Sequence, residues 1–321
     1  MPLNIVELPT PVPRDGHDKP VVIPEEGGKP KALVRTTTFI DCIDDKSNLA
    51  DWGKRAVLVG VAKQPSLVDA AAGLDIKADR QKLNALAERA VDLSGANDKR
   101  ERGTELHALT ELVDAGQPLP ADLPEPYVQA MMEYLLITAY LTPVHREKFV
   151  VCSPLGVGGT PDGVCDYDGP GPDGKPFKAR IITDLKTGSV EYGGRKMPAQ
   201  LAVYSRAKFY DHTVFPAPIR SEDEKGWQKW RKRVFTPEEA ALCYTGMGEI
   251  NQDWGLIIHM DFDAGTCKLY WADLQLGWEL AQQALVIRGL RKGDGLHPWI
   301  AAPQESPNLG VDEVDTVGAS V

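Results

Sequence analysis

The chain has 321 residues, of which 42% are hydrophobic and 26% charged, which is usual for a globular protein in water. Its longest central apolar stretch, Tyr134–Leu141, is too short to cross a bilayer, and no secretory signal opens the chain, so we expect no membrane partner. Five scattered cysteines with no C-x-x-C pair predict neither a disulfide framework nor a zinc knuckle, and they favour a reduced, cytoplasmic setting.

The net charge of −10 is unfavourable for a nucleic-acid-binding protein, but the charge is unevenly distributed. The segment Gly171–Phe235 contains 14 Lys and Arg residues against 7 Asp and Glu residues. A basic middle on an acidic body predicts a positive groove for a polyanion. The alternative is a set of solvated surface lysines.

Both ends of the chain are predicted to be flexible. Residues 1–32 hold seven prolines, and residues 301–321 are acidic without any Lys or Arg. One domain is expected at 33–300, with a helical part at 40–145 and a core at 146–300 that carries the candidate site.

Four helices are predicted in the first half of the chain. They cover 45–59, ended by Gly60; 70–93, with a break near Gly73; 97–115, capped by Asn97 or Asp98; and 126–140, stopped by Pro143.

The hydrophobic period then changes to that of strands. Strands are predicted at 147–152, 163–167 and 178–185, and the Pro- and Gly-rich loop 168–176 joins the last two as a hairpin. A helix at 198–210, a hairpin of 256–261 and 267–273, and a helix at 276–290 follow. The pattern predicts an α/β fold: a central mixed sheet flanked by helices, with a helical amino-terminal part.

Asp162 and Asp184 fall near the ends of two strands that a hairpin joins, so we expect their carboxylates to lie close together. Two ionised carboxylates in contact repel each other unless a cation lies between them. Mg²⁺ prefers oxygen ligands and keeps several waters, so it suits such a pair. Taken alone, each Asp is more often a turn residue.

Lys186 lies on the same strand face as Asp184, because side chains alternate along a strand. A surface ion pair is the common explanation of such a pattern. In a nuclease the Asp holds a metal that lowers the pKa of the attacking water, and the Lys contacts that water and a phosphate oxygen.

His107 stands in G-T-E-L-H-A-L, at the edge of an apolar stripe of Leu106, Leu109 and Val113. Gly103, one turn earlier on the same face, leaves room for another group to approach. A lone His at the rim of a core is more often structural, but its place before the Asp…Asp-x-Lys set favours a functional residue.

Gln200 and Tyr204 lie four residues apart on a predicted helix and therefore share a face. They are predicted to hold Lys186 or a phosphate, and the alternative is a buried Gln beside a core Tyr. Arg195 and Lys196, just before them, are candidate DNA contacts.

One segment interleaves two tryptophans, Trp227 and Trp230, with basic residues. We expect Lys229, Arg231 and Arg233 to contact phosphates and the indoles to stack on a frayed base. An exposed loop or helix start explains the segment equally well.

Four motifs occur in order: G-x-x-x-H-A-L at 103–109, G-x-x-D at 159–162, D-L-K at 184–186 and Q-x-x-x-Y at 200–204. Together they resemble the RecB-like branch of the PD-(D/E)xK nucleases. The resemblance covers roughly residues 40–295. The chain is similar to stand-alone bacteriophage exonucleases of this branch and to CRISPR-associated RecB-like exonucleases.

The resemblance implies a restriction-endonuclease-like core that binds Mg²⁺ or Mn²⁺ through His107, Asp162, Asp184 and the backbone carbonyl of Leu185. Asp162, Asp184 and Lys186 would be catalytic, with Gln200 and Tyr204 supporting Lys186 and the DNA. The implied activity is a metal-dependent deoxyribonuclease, an exonuclease that hydrolyses DNA phosphodiester bonds. Its partners would be DNA and a recombination or replication protein, in the bacterial host cytoplasm if a phage encodes it.

The chain departs from many relatives, which hold an iron–sulfur cluster with one cysteine before the His and three near the carboxyl end. Here Cys42 precedes His107, but Cys243 and Cys267 are too few, so no cluster is predicted. The chain also has no G-x-x-x-x-G-K-[ST] phosphate loop, so ATP-driven unwinding would need a separate partner.

Two other functions fit the same residues. One is a non-catalytic nucleic-acid-binding or assembly protein on a nuclease fold. The other is a metal-dependent hydrolase of small phosphoesters, which needs a small closed pocket.

Overall fold

The structure is a computed structural model and describes residues 12–191 and 193–296. The helices in these ranges are α1 Thr36–Ile40, α2 Ser47–Lys63, α3 Ser66–Ala71, α4 Arg80–Ser94, α5 Asp98–Asp114, α6 Glu125–Ile137, α7 Lys196–Ser205, α8 Glu224–Lys232, α9 Pro237–Ala241 and α10 Leu274–Leu290. The strands are β1 Val21–Val22, β2 Lys31–Ala32, β3 Val34–Arg35, β4 Leu141–Arg146, β5 Val150–Cys152, β6 Val157–Gly159, β7 Gly163–Pro170, β8 Pro176–Lys186, β9 Lys208–Tyr210, β10 Tyr244–Thr245, β11 Trp254–Asp261 and β12 Thr266–Asp273.

The first five-stranded sheet has the order β12-β11-β8-β7-β4. The pairs β7–β8 and β11–β12 are antiparallel hairpins, whereas β8 and β11 run parallel. A second five-stranded sheet has the order β10-β9-β5-β6-β3, and β1 pairs with β2 separately. The α/β prediction with a mixed sheet flanked by helices is therefore confirmed.

The core places α7 between the two sheets. Leu201 of α7 packs with Val150 and Val157 of the second sheet and with Ile182 and Ile257 of the first. Helices α5 and α6 cover the opposite face of the first sheet, where their apolar side chains meet Leu185 and Ile258. Because side chains alternate along β8, Asp184 and Lys186 project toward the α7 side and Leu185 toward α5.

The first predicted helix extends further than the sequence indicates. Gly60, expected just past its end, lies inside α2 and is buried. A Cβ at Gly60 would stand 1.7 Å from the carbonyl oxygen of Ala90 in α4. The glycine there permits close contact between two helices and does not end one. The break expected near Gly73 is present, since α3 ends at Ala71 and Gly73 has φ +78°.

The sequence pattern missed several of the strands, including β4 and β9. Residues Leu141–Arg146 pair with β7, although Pro143 was expected only to stop a helix. The helix predicted to reach Tyr210 ends at Ser205, because Lys208–Tyr210 pairs with β5 and β10 instead. The predicted strand at 147–152 shortens to β5, since Glu147 adopts a left-handed backbone with φ 44°.

The prediction of a flexible amino-terminal segment is wrong for residues 12–32. Val21, Val22 and Ile23 are at most 1% exposed and pack with Trp227 and Phe235. Alternation of prolines with β-branched residues hid this short buried strand. Residues 1–11 and the predicted acidic tail at 301–321 lie outside the described residues. Within the described residues, every helix is too short or too polar to traverse a lipid bilayer.

Candidate active site

The two aspartates of the predicted site are brought together by the hairpin of β7 and β8. Gly163 pairs with Thr183, so Asp162 and Asp184, which continue that register, lie opposite each other. Oδ2 of Asp162 accepts a 2.6 Å hydrogen bond from the backbone N–H of Leu185. The carboxylate of Asp162 is thus fixed directly against the end of β8.

Asp184 is 2% exposed, and its two oxygens have different neighbours. Oδ1 accepts a 3.1 Å hydrogen bond from Nε2 of Gln200 on α7. Oδ2 forms an ion pair with the ammonium of Lys186, but no donor in the described residues satisfies it with hydrogen-bond geometry. The structure therefore joins Asp184 to Lys186 and to Gln200, whereas Gln200 was predicted to hold Lys186 or a phosphate.

The acids repel each other electrostatically. Burial, and then the charge of Asp184, raise the pKa of Asp162 well above its usual value. The Lys186 ammonium acts in the opposite direction. A second positive charge at this place would favour ionisation of Asp162.

His107 reaches the same place from α5. Its Nδ1 lies 3.8 Å from Oδ2 of Asp162, and burial lowers the pKa of its imidazole. A neutral imidazole is the form that binds a metal ion. Gly103 of the same motif is explained by a close approach, since a Cβ there would meet Oγ1 of Thr187 at 2.7 Å.

Two observations favour a fit of these residues to one divalent cation, and one opposes it. Two ligands, each about 2.0–2.1 Å from one ion, can be separated by up to about 4.2 Å, which accommodates the 3.8 Å between His107 and Asp162. The buried Oδ2 of Asp184 also contacts the Lys186 ammonium without hydrogen-bond geometry, and no other donor in the described residues bonds to it. Against the fit, no group of three or more His, Cys, Asp and Glu side chains in the described residues is placed so that it could hold an ion as it stands. Lys186, which is paired with that oxygen, would have to withdraw from it.

Tyr204 of α7 lies near Asp184 and is 3% exposed. Burial, followed by the charge of Asp184, raises the pKa of its phenol. A Cβ on Gly159 would lie 2.8 Å from the Tyr204 hydroxyl and 3.0 Å from Oγ1 of Thr36. The glycine of G-x-x-D is therefore needed for room, and Thr36 is a neighbour of the site that no sequence signal indicated.

Sequence reasoning also missed two acids near the site. Glu111 lies one turn after His107, and a small cavity of about 50 Å³ is lined by both together with Glu147 and Asp162. Burial, then Glu111 and Asp184, raise the pKa of Glu147 to about 7. The backbone N–H of Glu147 donates to the Asp162 carbonyl at 3.3 Å. The only sequence signal for Glu147 was the presence of an acidic residue in a β-branched run.

The two basic residues predicted just before Gln200 differ in their surroundings. Lys196 pairs with Asp41 at 2.5 Å and lies 3.8 Å from Asp44, so its charge is already compensated. Arg195 is exposed at the start of α7. Arg195 can therefore contact a ligand. Lys196 is already held in an ion pair with Asp41.

The basic–aromatic segment forms α8, and its tryptophans are not available to stack on a base. Trp227 and Trp230 are 5% and 8% exposed, and they pack in the cluster around Ile23. They are the apolar face that holds α8 to the body of the protein. The prediction that they stack on DNA is therefore wrong.

The basic residues of α8 differ in availability. Lys229 is exposed, whereas Arg233 pairs with Glu239 at 2.7 Å and stacks on Phe235 with 4.2 Å to the ring centroid. Nη1 of Arg231 is buried without a hydrogen-bond partner in the described part of the chain. Of these three, Lys229 is the residue that the fold leaves open to a phosphate.

No model of a known protein family matches the sequence, and neither does any curated protein with which it was compared. The candidate function therefore rests on the residues and their arrangement.

Proposed function

We propose that the protein is a metal-dependent deoxyribonuclease of the RecB-like PD-(D/E)xK type that acts on DNA as an exonuclease. The observation that carries the proposal is the convergence of Asp162, Asp184, Lys186 and His107 at the end of one hairpin, with Gln200 bonded to Asp184. Four distant stretches of the chain supply these groups.

Each protein group has a task that its surroundings support. The Leu185 N–H orients Asp162, and the Gln200 amide orients Asp184, so both carboxylates are fixed before substrate arrives. The side chain of Lys186 is 27% exposed, so its ammonium can reach a phosphate oxygen from the buried site. There it would offset developing negative charge in the transition state and orient the attacking water.

The residues that would hold Mg²⁺ or Mn²⁺ are His107, Asp162 and Asp184, helped by the carbonyl of Leu185. When bound, such an ion lowers the pKa of water and offsets charge on the phosphate. DNA is the proposed substrate, and a recombination or replication protein is the proposed partner.

The test compares Lys186→Ala with Lys178→Ala, a matched change on the same strand. Lys178 lies in an exposed pair with Asp168, whose loss has little effect on stability. End-labelled linear DNA and circular DNA are incubated with Mg²⁺, with Mn²⁺ and with EDTA. We expect wild type and Lys178→Ala to degrade linear DNA only with a metal, and Lys186→Ala to be slower by roughly 100-fold or more.

Thermal unfolding of each variant checks that the fold survives. Undiminished cleavage by folded Lys186→Ala would exclude the proposed mechanism. DNA binding without cleavage under either metal would instead support a non-catalytic nucleic-acid-binding protein. If circular DNA were cut as fast as linear DNA, the activity would be that of an endonuclease and not of an exonuclease.

A further inference from the structure

A groove of about 980 Å³ lies beside the candidate active site, and the chemistry described so far does not use it. We call it the side groove. Gly103 of α5 and Thr187, the residue after Lys186, line its edge, and His259 and Tyr270 line its floor. The side groove therefore adjoins the proposed catalytic groups directly.

The sheet register ties this floor to the catalytic lysine. In the parallel pair of β8 and β11, His259 lies opposite Lys186, and neighbouring strands are about 4.8 Å apart. Paired residues in a sheet project from the same face, so His259 and Lys186 lie side by side. A nucleotide whose phosphate lies at Lys186 would extend over His259.

The aromatic part of the floor is open to solvent. Tyr270 is 42% exposed, and its ring centroid lies 6.0 Å from that of His259 at an angle of 57°. The nearby side chains of Met197 and Leu276 also line the side groove. An exposed aromatic ring beside apolar side chains is a surface on which a planar heterocycle stacks.

The charges of the side groove argue against a track for several phosphates. Lys99 and Arg102 both pair with Asp263, at 2.8 and 3.2 Å. Asp273 accepts a hydrogen bond from the Leu276 N–H as the cap of α10. Exposed Arg100 and Glu191 add one charge of each sign, and Asp261 adds a further negative charge. A partly apolar lining without excess positive charge suits a neutral ring better than a polyanion.

We propose that the side groove binds one unstacked nucleobase of the strand that is cut, held against Tyr270 and His259 while the adjoining phosphate reaches Lys186. The role of this base-binding site in catalysis rests on the proposed nuclease function. The substrate is then a strand whose end is single-stranded at the site.

The test measures binding separately from cleavage. A short single-stranded oligonucleotide carrying 2-aminopurine at one end is titrated with protein in EDTA, and fluorescence reports stacking of that base. Wild type is compared with Tyr270→Ala, Tyr270→Phe and the matched control Tyr140→Ala, whose tyrosine is 46% exposed away from the side groove. The same strands are then incubated with Mn²⁺ to follow cleavage.

We expect wild type, Tyr270→Phe and Tyr140→Ala to bind alike and to quench the fluorescence. Tyr270→Ala should lose the quenching and bind roughly 5- to 100-fold more weakly. An oligonucleotide that lacks the terminal base should bind wild type as weakly as the intact one binds Tyr270→Ala.

Unchanged affinity and quenching in Tyr270→Ala would overturn the inference, as would failure of wild type to bind the single strand. Quenching that depends on Tyr270, but with no cleavage by wild type in Mn²⁺, would support the base-binding groove and overturn the nuclease proposal. The two ideas therefore fail on different readouts.

Discussion

Asp184 contacts polar groups from two elements, helix α7 and its own strand β8. Its side chain is almost fully buried, yet it contacts an amide from α7 and an ammonium two residues along its own strand. The Asp-x-Lys spacing is readable from the sequence because strands alternate. The contact with Gln200 is not, because it depends on how α7 packs against β8.

Glu147 gives a residue-scale prediction about pH. Its pKa is 4.5 in the unfolded chain and about 7 in the folded protein, because burial and nearby acids disfavour its charge. The folded state therefore holds the proton more tightly. The stability that this proton contributes is fully present below pH 4.5 and is lost as the pH rises through about 7.

Glu147→Gln should therefore leave the metal-free protein's free energy of unfolding nearly unchanged at pH 4 and raise it by up to about 3 kcal/mol at pH 8. Urea unfolding in EDTA across this range measures the effect. Glu249→Gln, a change at an exposed acid, is the control and should follow wild type. Parallel pH curves for Glu147→Gln and wild type would contradict the assignment.

At the scale of elements, two glycines fix distances between helices that the sequence pattern did not reveal. Gly60 lets α2 contact α4, and Gly277 lets α10 contact the start of α7. Helix α7 carries Gln200, so the second contact also positions the candidate site. Glycine inside a helix usually weakens it, and the close contact explains its use here.

Gly277→Ala tests this contact between α10 and α7. Its Cβ would lie 2.2 Å from the carbonyl oxygen of Pro198, so the helices must separate. We expect the free energy of unfolding to fall by about 1–3 kcal/mol and DNA cleavage to fall as well. Denaturant unfolding and the cleavage assay measure the two effects.

Gly289→Ala on the same helix is the matched control. Apart from the backbone of its own helix, the added Cβ would meet no atom within 4 Å. The substitution should therefore stabilise the protein by about 0.5–1 kcal/mol. If both substitutions stabilise equally, the close contact at Gly277 is not a constraint.

At the scale of the whole molecule, the amino-terminal segment around Ile23 is part of the folded unit. The backbone N–H of Ile23 donates to the Tyr210 hydroxyl at 2.9 Å, and the Tyr244 hydroxyl donates to the Ile23 carbonyl at 2.7 Å. These bonds join residues 187 and 221 positions apart in the chain. The second sheet and α8 therefore depend on a segment that composition alone predicted to be flexible.

Deletion of residues 1–24 should remove cooperative folding. Val21, Val22 and Ile23 each contribute about 1.5–3 kcal/mol by burial, and their sum approaches the total stability of many domains. Urea unfolding followed by tryptophan fluorescence measures this, because Trp227 packs in the same cluster. The milder Ile23→Val should cost only about 0.5–1.5 kcal/mol. A truncated chain that unfolds at the wild-type urea concentration would refute the dependence.

The sequence by itself determined the α/β class, the Asp162–Asp184 hairpin and the order of the candidate site residues. These rest on local periodicity and on spacing within one hairpin, which neighbouring residues fix. Only the tertiary structure decided that Trp227 and Trp230 are core residues, that Lys208–Tyr210 is a strand and that Glu147 and Thr36 lie near the site. Those outcomes depend on contacts between segments far apart in the chain, and such contacts leave no local pattern.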